Sequence, residues 1–283
     1  MQRLTAGFMF ALLWASASVV TKVGLIGAQP LVLSNTRFFI AGFVMLALSK
    51  AWGKNVLPAA TEWGPLMIYG LLNVTIYLSL FVFAIQKITA GIGTLGVATC
   101  PLLISVLHAS WLRNAISKDI WIGLLLGMFG VSVATFPLLY NASVTLSGIA
   151  LLFFSMLSYS VGTVYFQSTR WQLPLLSING WQIVFGALFL LPFTIFFFEP
   201  TQNHFDEKFW FCVGWLVLPV SVAAVQLWLF LLKTEPLSAS LWLFLCPVFG
   251  FGYSAYFLGE EITGFTVVGT ILVISGLYLG RRK

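Results

Sequence analysis

The chain has 283 residues, 60% of them hydrophobic and 8% charged, with 14 Lys+Arg against 8 Asp+Glu and a formal net charge of +6. Soluble domains run near a quarter charged, so this composition excludes an ordinary aqueous fold, for which there is too little polar surface. It also excludes nucleic-acid binding, because the positive charges are spread thinly, with no basic run beyond Arg281-Arg282-Lys283.

Apolar blocks fall at 4–26, 31–49, 65–85, 91–111, 120–139, 147–166, 177–198, 209–231, 237–257 and 263–280. Each is near the length of a membrane-crossing helix, so ten use roughly 200 positions and leave about 80 for loops and tails. The expected fold is therefore an all-α polytopic membrane protein of ten transmembrane helices. The first block carries Arg3 and Ala15-Ser16-Ala17, features of a signal peptide. A second block follows too soon for that, and Lys22 sits where a mature domain would begin. The loops are short and often marked by Pro, Gly or Asn, as in Gly27-Ala28-Gln29-Pro30. The cysteines Cys100, Cys212 and Cys246 have no metal-ligand spacing, so neither a metal nor a cofactor is expected.

Ten spans put both termini on one side. With the N-terminus inside, the inner segments hold Arg3, Lys50, Lys54, Arg113, Lys118, Arg170, Lys233, Arg281, Arg282 and Lys283. The outer loops hold only Lys87 and Lys208, and Lys22 and Arg37 lie within spans. Ten against two predicts cytoplasmic termini, in the inner (plasma) membrane of a bacterium. The loop at Asn203 then faces out and the loop at Asn55 faces in. An acceptor-type sequon, Asn141-Ala142-Ser143, lies in an outer loop and carries no weight at three residues.

A shift of 146 positions lays Lys87 on Lys233, Cys100-Pro101 on Cys246-Pro247, Gly123 on Gly269 and Gly130 on Gly276. The chain thus reads as two five-helix repeats, residues 1–140 and 146–283. Five being odd, the second repeat enters the membrane inverted relative to the first, a build that recurs in secondary transporters.

The pattern resembles the EamA-type family of the drug/metabolite transporter superfamily over nearly the whole chain. The residues that carry the resemblance are Trp14 and Lys22 in span 1, Pro30, and Arg37-Phe38 in span 2. Late in the chain they are Pro247, Leu258-Gly259-Glu260, Thr263 and Gly269. The first repeat departs from it, reading Leu112-Arg113-Asn114 where the family pattern has Gly-Glu, so any role of that acidic residue is left to Glu260. The resemblance implies alternating-access transport of a small molecule, with export of amino acids or related compounds as the leading expectation. Rival expectations are a nucleotide-sugar or nucleoside carrier of the same superfamily and a non-transporting membrane partner subunit. An enzyme is not expected, because no Ser-His pair, Asp pair or metal motif lies within the spans.

Ionisable residues inside a membrane mark function by default. Here they are Lys22, Arg37 and His108, with no Asp or Glu mid-span, which disfavours proton-coupled export of cations. Lys22, Ser18 and Trp14 share one helical face and together suit a carboxylate. A lysine near a span end also snorkels, and that reading stands beside the first. Arg37 reads first as a structural or gating staple, holding carbonyls or a carboxylate, and second as a ligand contact. His108 reads as a satisfied polar residue between helices or a ring near the cytoplasmic exit, with a proton relay as a third reading. Asn73 with Tyr77, Ser155 with Tyr159, and Gln226 either line a substrate cavity or bond between helices. Pro101 and Pro247 are expected to kink spans 4 and 9 near the centre. The rows Gly123, Gly127, Gly130 and Gly269, Gly276, Gly280 read as close helix packing, with a homodimer contact also open to them. The expected partners are the lipid bilayer and a small-molecule substrate.

Overall fold

The computed structural model describes residues 2–88, 90–111, 117–140, 145–234, 236–258 and 262–280, and among them every regular element is helical. Helix α1 (Gln2–Gly24) turns through 25–29 into α2 (Pro30–Ala51), where Pro30 takes the first helical position with its fixed φ. Next comes one continuous run of α3 (Trp63–Gly70), a π-helical stretch (Leu71–Ile76) and α4 (Tyr77–Ile85). Helices α5 (Ala90–Trp111) and α6 (Lys118–Tyr140) follow, then α7 (Leu146–Ser168), capped by the Thr145 hydroxyl on the Gly148 N–H at 3.1 Å. Helix α8 (Leu175–Phe196) precedes a second broken run of α9 (Glu207–Trp215), a π stretch (Leu216–Ala224) and α10 (Val225–Thr234). The chain continues as α11 (Pro236–Ser240), a 3₁₀ turn (Leu241–Phe244), α12 (Leu245–Leu258) and α13 (Gly264–Gly280).

Seven helical runs among the described residues are long and apolar enough to cross a membrane, and the shorter apolar helices Gly96–Trp111 and Gly264–Gly280 accompany them. Large apolar side chains point away from the protein, with Phe196 81% and Tyr256 83% exposed, while Asn179, Ser155 and Thr163 are fully buried. Lipid can solvate the former, and backbone groups in a bilayer must be satisfied inside the fold.

The helix interruptions follow the expected prolines only in part. Helix α5 stays α-helical through Pro101. Span 9 is interrupted by the 3₁₀ turn Leu241–Phe244 one helical turn before Pro247, whose missing N–H removes the α-helical bond to the Leu243 carbonyl. Two π stretches interrupt spans 3 and 8 as well, and the 146-residue shift lays 71–76 on 217–222, inside the second. Pro219, which has no N–H, accounts for the second. The first is stitched from outside: the Ser158 hydroxyl donates to the Leu72 carbonyl at 2.8 Å and Ser155 to the Tyr77 carbonyl at 2.7 Å, while Thr75 donates to the Gly186 carbonyl at 3.0 Å. Wide turns free carbonyls, and the hydroxyls of α7 satisfy two of them.

Helices α6 and α13 form a seam in which glycines meet backbone. A Cβ built on Gly123 would stand 2.7 Å from the Gly276 carbonyl oxygen, and one on Gly130 2.7 Å from that of Gly269. The glycine rows are thus used against each other within one chain.

Two clasps join the loops at opposite ends. At one end Gln29 donates to the Phe197 carbonyl (2.8 Å), and its Oε1 accepts from the Glu199 N–H (2.8 Å) and Asn203 Nδ2 (2.9 Å). The Gln29 N–H meets Asn203 Oδ1 at 2.9 Å, and the His204 N–H meets the Gly27 carbonyl at 2.7 Å. At the other end Glu62, 3% exposed, accepts from the N–H groups of Ala59 (3.0 Å), Gln172 (2.8 Å) and Leu173 (3.1 Å). Trp181 Nε1 adds a bond to the Val56 carbonyl at 2.7 Å.

Candidate functional site

Two adjoining cavities lie between the clasps. The first, about 40 Å³, is walled by Trp14, Ser18 and Thr21 of α1, Ser34 and Arg37 of α2, Tyr77 of α4, and the apolar Leu78, Phe81, Val82, Val97, Leu216 and Val220. The second, about 30 Å³, shares Trp14, Arg37, Tyr77 and Leu78 and adds Tyr69, Asn73, Tyr159, Gln182, Ser221 and Trp228. Each has room for a few waters and is smaller than the several hundred Å³ usual for a metabolite pocket. The loops at both ends are tied together by the clasp hydrogen bonds.

Helical spacing explains the wall. Trp14 and Ser18 are four apart on α1 and face inward together. Asn73 sits in the first π stretch, and Ser221 in the second, so the two widened turns meet the same cavity from opposite sides. An aromatic cluster packs around it: Tyr77–Tyr159 centroids are 4.9 Å apart, Tyr159–Trp228 6.1 Å, Trp14–Tyr159 6.2 Å and Phe10–Trp228 5.0 Å.

Of the residues singled out from sequence, the structure brings together Trp14, Ser18, Arg37, Tyr77, Tyr159 and Asn73. It does not bring Lys22 into the wall: that residue is half-buried in the last turn of α1. Gln226 is committed elsewhere, donating to the Leu175 carbonyl at 3.1 Å, and Ser155 is the stitch on Tyr77. His108 is buried near the end of α5, away from both cavities. Pro101 and Pro247 do not line the cavities, although Cys246, next to Pro247, reaches the first. Glu260, Arg113 and the sequon Asn141-Ala142-Ser143 lie outside the described residues.

Sequence reasoning missed Tyr69, Gln182 and Trp228. Gln182, an amide within an apolar block, carried a readable signal, whereas Tyr69 and Trp228 look like the many other aromatics of the spans.

Arg37 is the one charged side chain among the described residues lining the two cavities. It is 8% exposed, its Nε has no partner, and it makes no hydrogen bond or ion pair among the described residues. Its guanidinium carbon lies 5.0 Å from the Phe38 ring centroid. The expectation of a staple to a carbonyl or carboxylate finds no such partner.

Apolar helices closed around a buried polar centre define a multi-pass integral membrane protein seated in the lipid bilayer. The profile of the EamA-like transporter family matches residues 3–136 and again 146–280, and the chain belongs to that family. An uncharacterized transporter of Synechocystis sp. is 26% identical over 96% of this chain and 87% of its own. Protein PecM of Dickeya dadantii is 24% identical (94% and 88%), and the uncharacterized inner membrane transporter YedA of Escherichia coli 25% (98% and 92%). A solved crystal structure shares the fold at a TM-score of 0.82 and 20% identity, covering 99% of this chain and 96% of that one. The protein is a membrane transporter.

Proposed function

We propose that the protein moves a small polar or amphipathic metabolite, an amino acid or related compound, out of the cell by alternating access. In this reading ten helices form two inverted repeats, 1–140 and 146–283, in the inner membrane with both termini cytoplasmic. The observation that carries it is the polar, aromatic-lined centre lying between two hydrogen-bonded loop clasps, one at each end. Under the repeat, the 25–29 turn corresponds to the 169–174 turn, and the 52–62 loop to 197–206. Each clasp therefore joins one member of each pair, so the two are counterparts, as alternating gates require. The register of the π stretches and the double family match support the repeat. The 3.4 Å contact from the Thr145 hydroxyl to the Lys87 carbonyl pairs two further loops on one side, as ten crossings demand. The name of the Escherichia coli relative supports the inner membrane.

A nucleotide-sugar carrier would need several cations to hold its phosphates, and among the described residues Arg37 is the one cation lining the cavities. Counterflow of labelled amino acids in liposomes tests the transport reading. With no mid-span carboxylate, exchange is expected without a pH gradient. Strict dependence on the gradient would point to His108 as proton carrier. No exchange by folded protein would favour a partner subunit instead.

Orientation is tested by thiol labelling. Asn203 is buried in its clasp, so the probes belong on its exposed neighbour Gln202 and on exposed Lys54. Gln202→Cys is expected to react with an impermeant reagent on intact cells and Lys54→Cys only after lysis. The reverse would overturn the orientation.

A further inference from the structure

Resting on the transport reading above, we propose that Arg37 anchors a carboxylate of the transported solute, whose apolar portion lies along the wall of the first cavity.

A guanidinium inside a bilayer is costly and is normally found with a carboxylate or carbonyls around it. Arg37 has neither among the described residues, and no acidic side chain among them lines either cavity. Three other donors in the wall of the second cavity are left open as well. The Tyr69 and Tyr159 hydroxyls and Trp228 Nε1 are buried without a partner, in residues 0%, 4% and 1% exposed, beside two open acceptors, Asn73 Oδ1 and Gln182 Oε1. Four unpartnered donors, one permanently charged, converge on a single cavity. Water could satisfy hydrogen-bonding capacity there but would leave the charge uncompensated.

A carboxylate supplies what is missing. It has two acceptor oxygens, matches the planar fork of a guanidinium, and carries the single negative charge that one arginine balances. A phosphate ester carries more charge than this wall can neutralise. A cation would face Arg37 unshielded. The rest of the solute is set by the adjoining cavity, where Leu78, Phe81, Val82, Val97, Leu216 and Val220 form an apolar wall beside Trp14. That combination selects a monocarboxylate with an apolar side chain and transfers to Arg37 the anion-holding role that helix periodicity alone suggests for Lys22.

The test uses purified full-length protein and four probes that differ only in their polar ends: phenylalanine, 3-phenylpropanoate, phenylalaninamide and 2-phenylethylamine. Each is measured by thermal shift and as a competitor of labelled phenylalanine counterflow in liposomes. The two carboxylates are expected to raise the Tm and compete, and the amide and the amine to do neither. Arg37→Gln should weaken carboxylate binding by about 10- to 150-fold. Its unliganded Tm should be no lower than that of the unmodified protein, because an unbalanced buried charge is removed. Arg37→Lys should recover part of the affinity, and Tyr159→Phe should lose several-fold of it with no loss of Tm.

Undiminished carboxylate binding by folded Arg37→Gln overturns the proposal, as does an amine that binds as tightly as the carboxylates. In either case, continued exchange by the unmodified protein leaves transport standing while the anion site falls. Absence of any exchange by the unmodified protein removes both.

Discussion

Gly130→Leu is expected to break the seam between α6 and α13. A Cβ at residue 130 would lie 2.7 Å from the Gly269 carbonyl oxygen, 2.8 Å from Leu272 Cβ and 2.8 Å from the Val273 N. Two of these are backbone atoms of a packed helix, which cannot rotate aside as a side-chain end can. The helices must part, and in lipid no hydrophobic force restores the contact once close packing is lost. Overpacking of this kind costs about 3 kcal/mol or more. That corresponds to roughly 6–12 °C in Tm for a chain of this size. Gly252→Leu is the control, because a Cβ there meets nothing within 4 Å, and it should leave the Tm nearly unchanged. Equal effects from the two would remove close helix packing as the reason for the glycine row. The same geometry bears on oligomerisation: these glycine faces are filled within the protomer, so a homodimer would have to form through other surfaces.

Much of the helical framework was legible in composition and periodicity. The ten apolar blocks each fall on a helix or broken helical run, because long apolar stretches in lipid leave the backbone little alternative to internal hydrogen bonding. Trp14 and Ser18 were legible for a related reason, since four-residue spacing fixes their shared face. The same spacing misdirects at Lys22, which lies in the last turn of α1, beyond the wall of the cavities. The π stretches left no mark, because a shift in hydrogen-bond register changes neither residue type nor hydropathy. Proline drew the expectation of a break to residues 101 and 247; span 9 is interrupted just before Pro247, α5 runs unbroken through Pro101, and Pro219 sits in a widened helix. Arg37 was visible as a buried cation, but whether it had a partner depends on which helices surround it. The clasps were hidden for that reason too. Gln29 meets Asn203 across 174 residues and Glu62 meets Gln172 across 110, pairings that one sequence without relatives does not contain.

In the proposed reading the clasps carry the mechanism, since alternating access would require that the one joining residues 27–29 to 197–204 opens during the cycle. A Cβ built on Gly27 stands 4.0 Å from His204 Cβ, within the range a disulfide spans, and the backbones there are already joined by the 2.7 Å bond from the His204 N–H to the Gly27 carbonyl. The three native cysteines are free and buried, so they should not compete for the bridge. Gly27→Cys/His204→Cys should therefore close this gate covalently on oxidation. Solute counterflow in liposomes is the decisive measurement. The oxidised double variant is expected to exchange no faster than liposomes without protein, reduction should restore the rate, and each single variant should be indifferent to oxidant. Exchange by the fully cross-linked protein at the rate of its reduced form would contradict alternating access through this clasp.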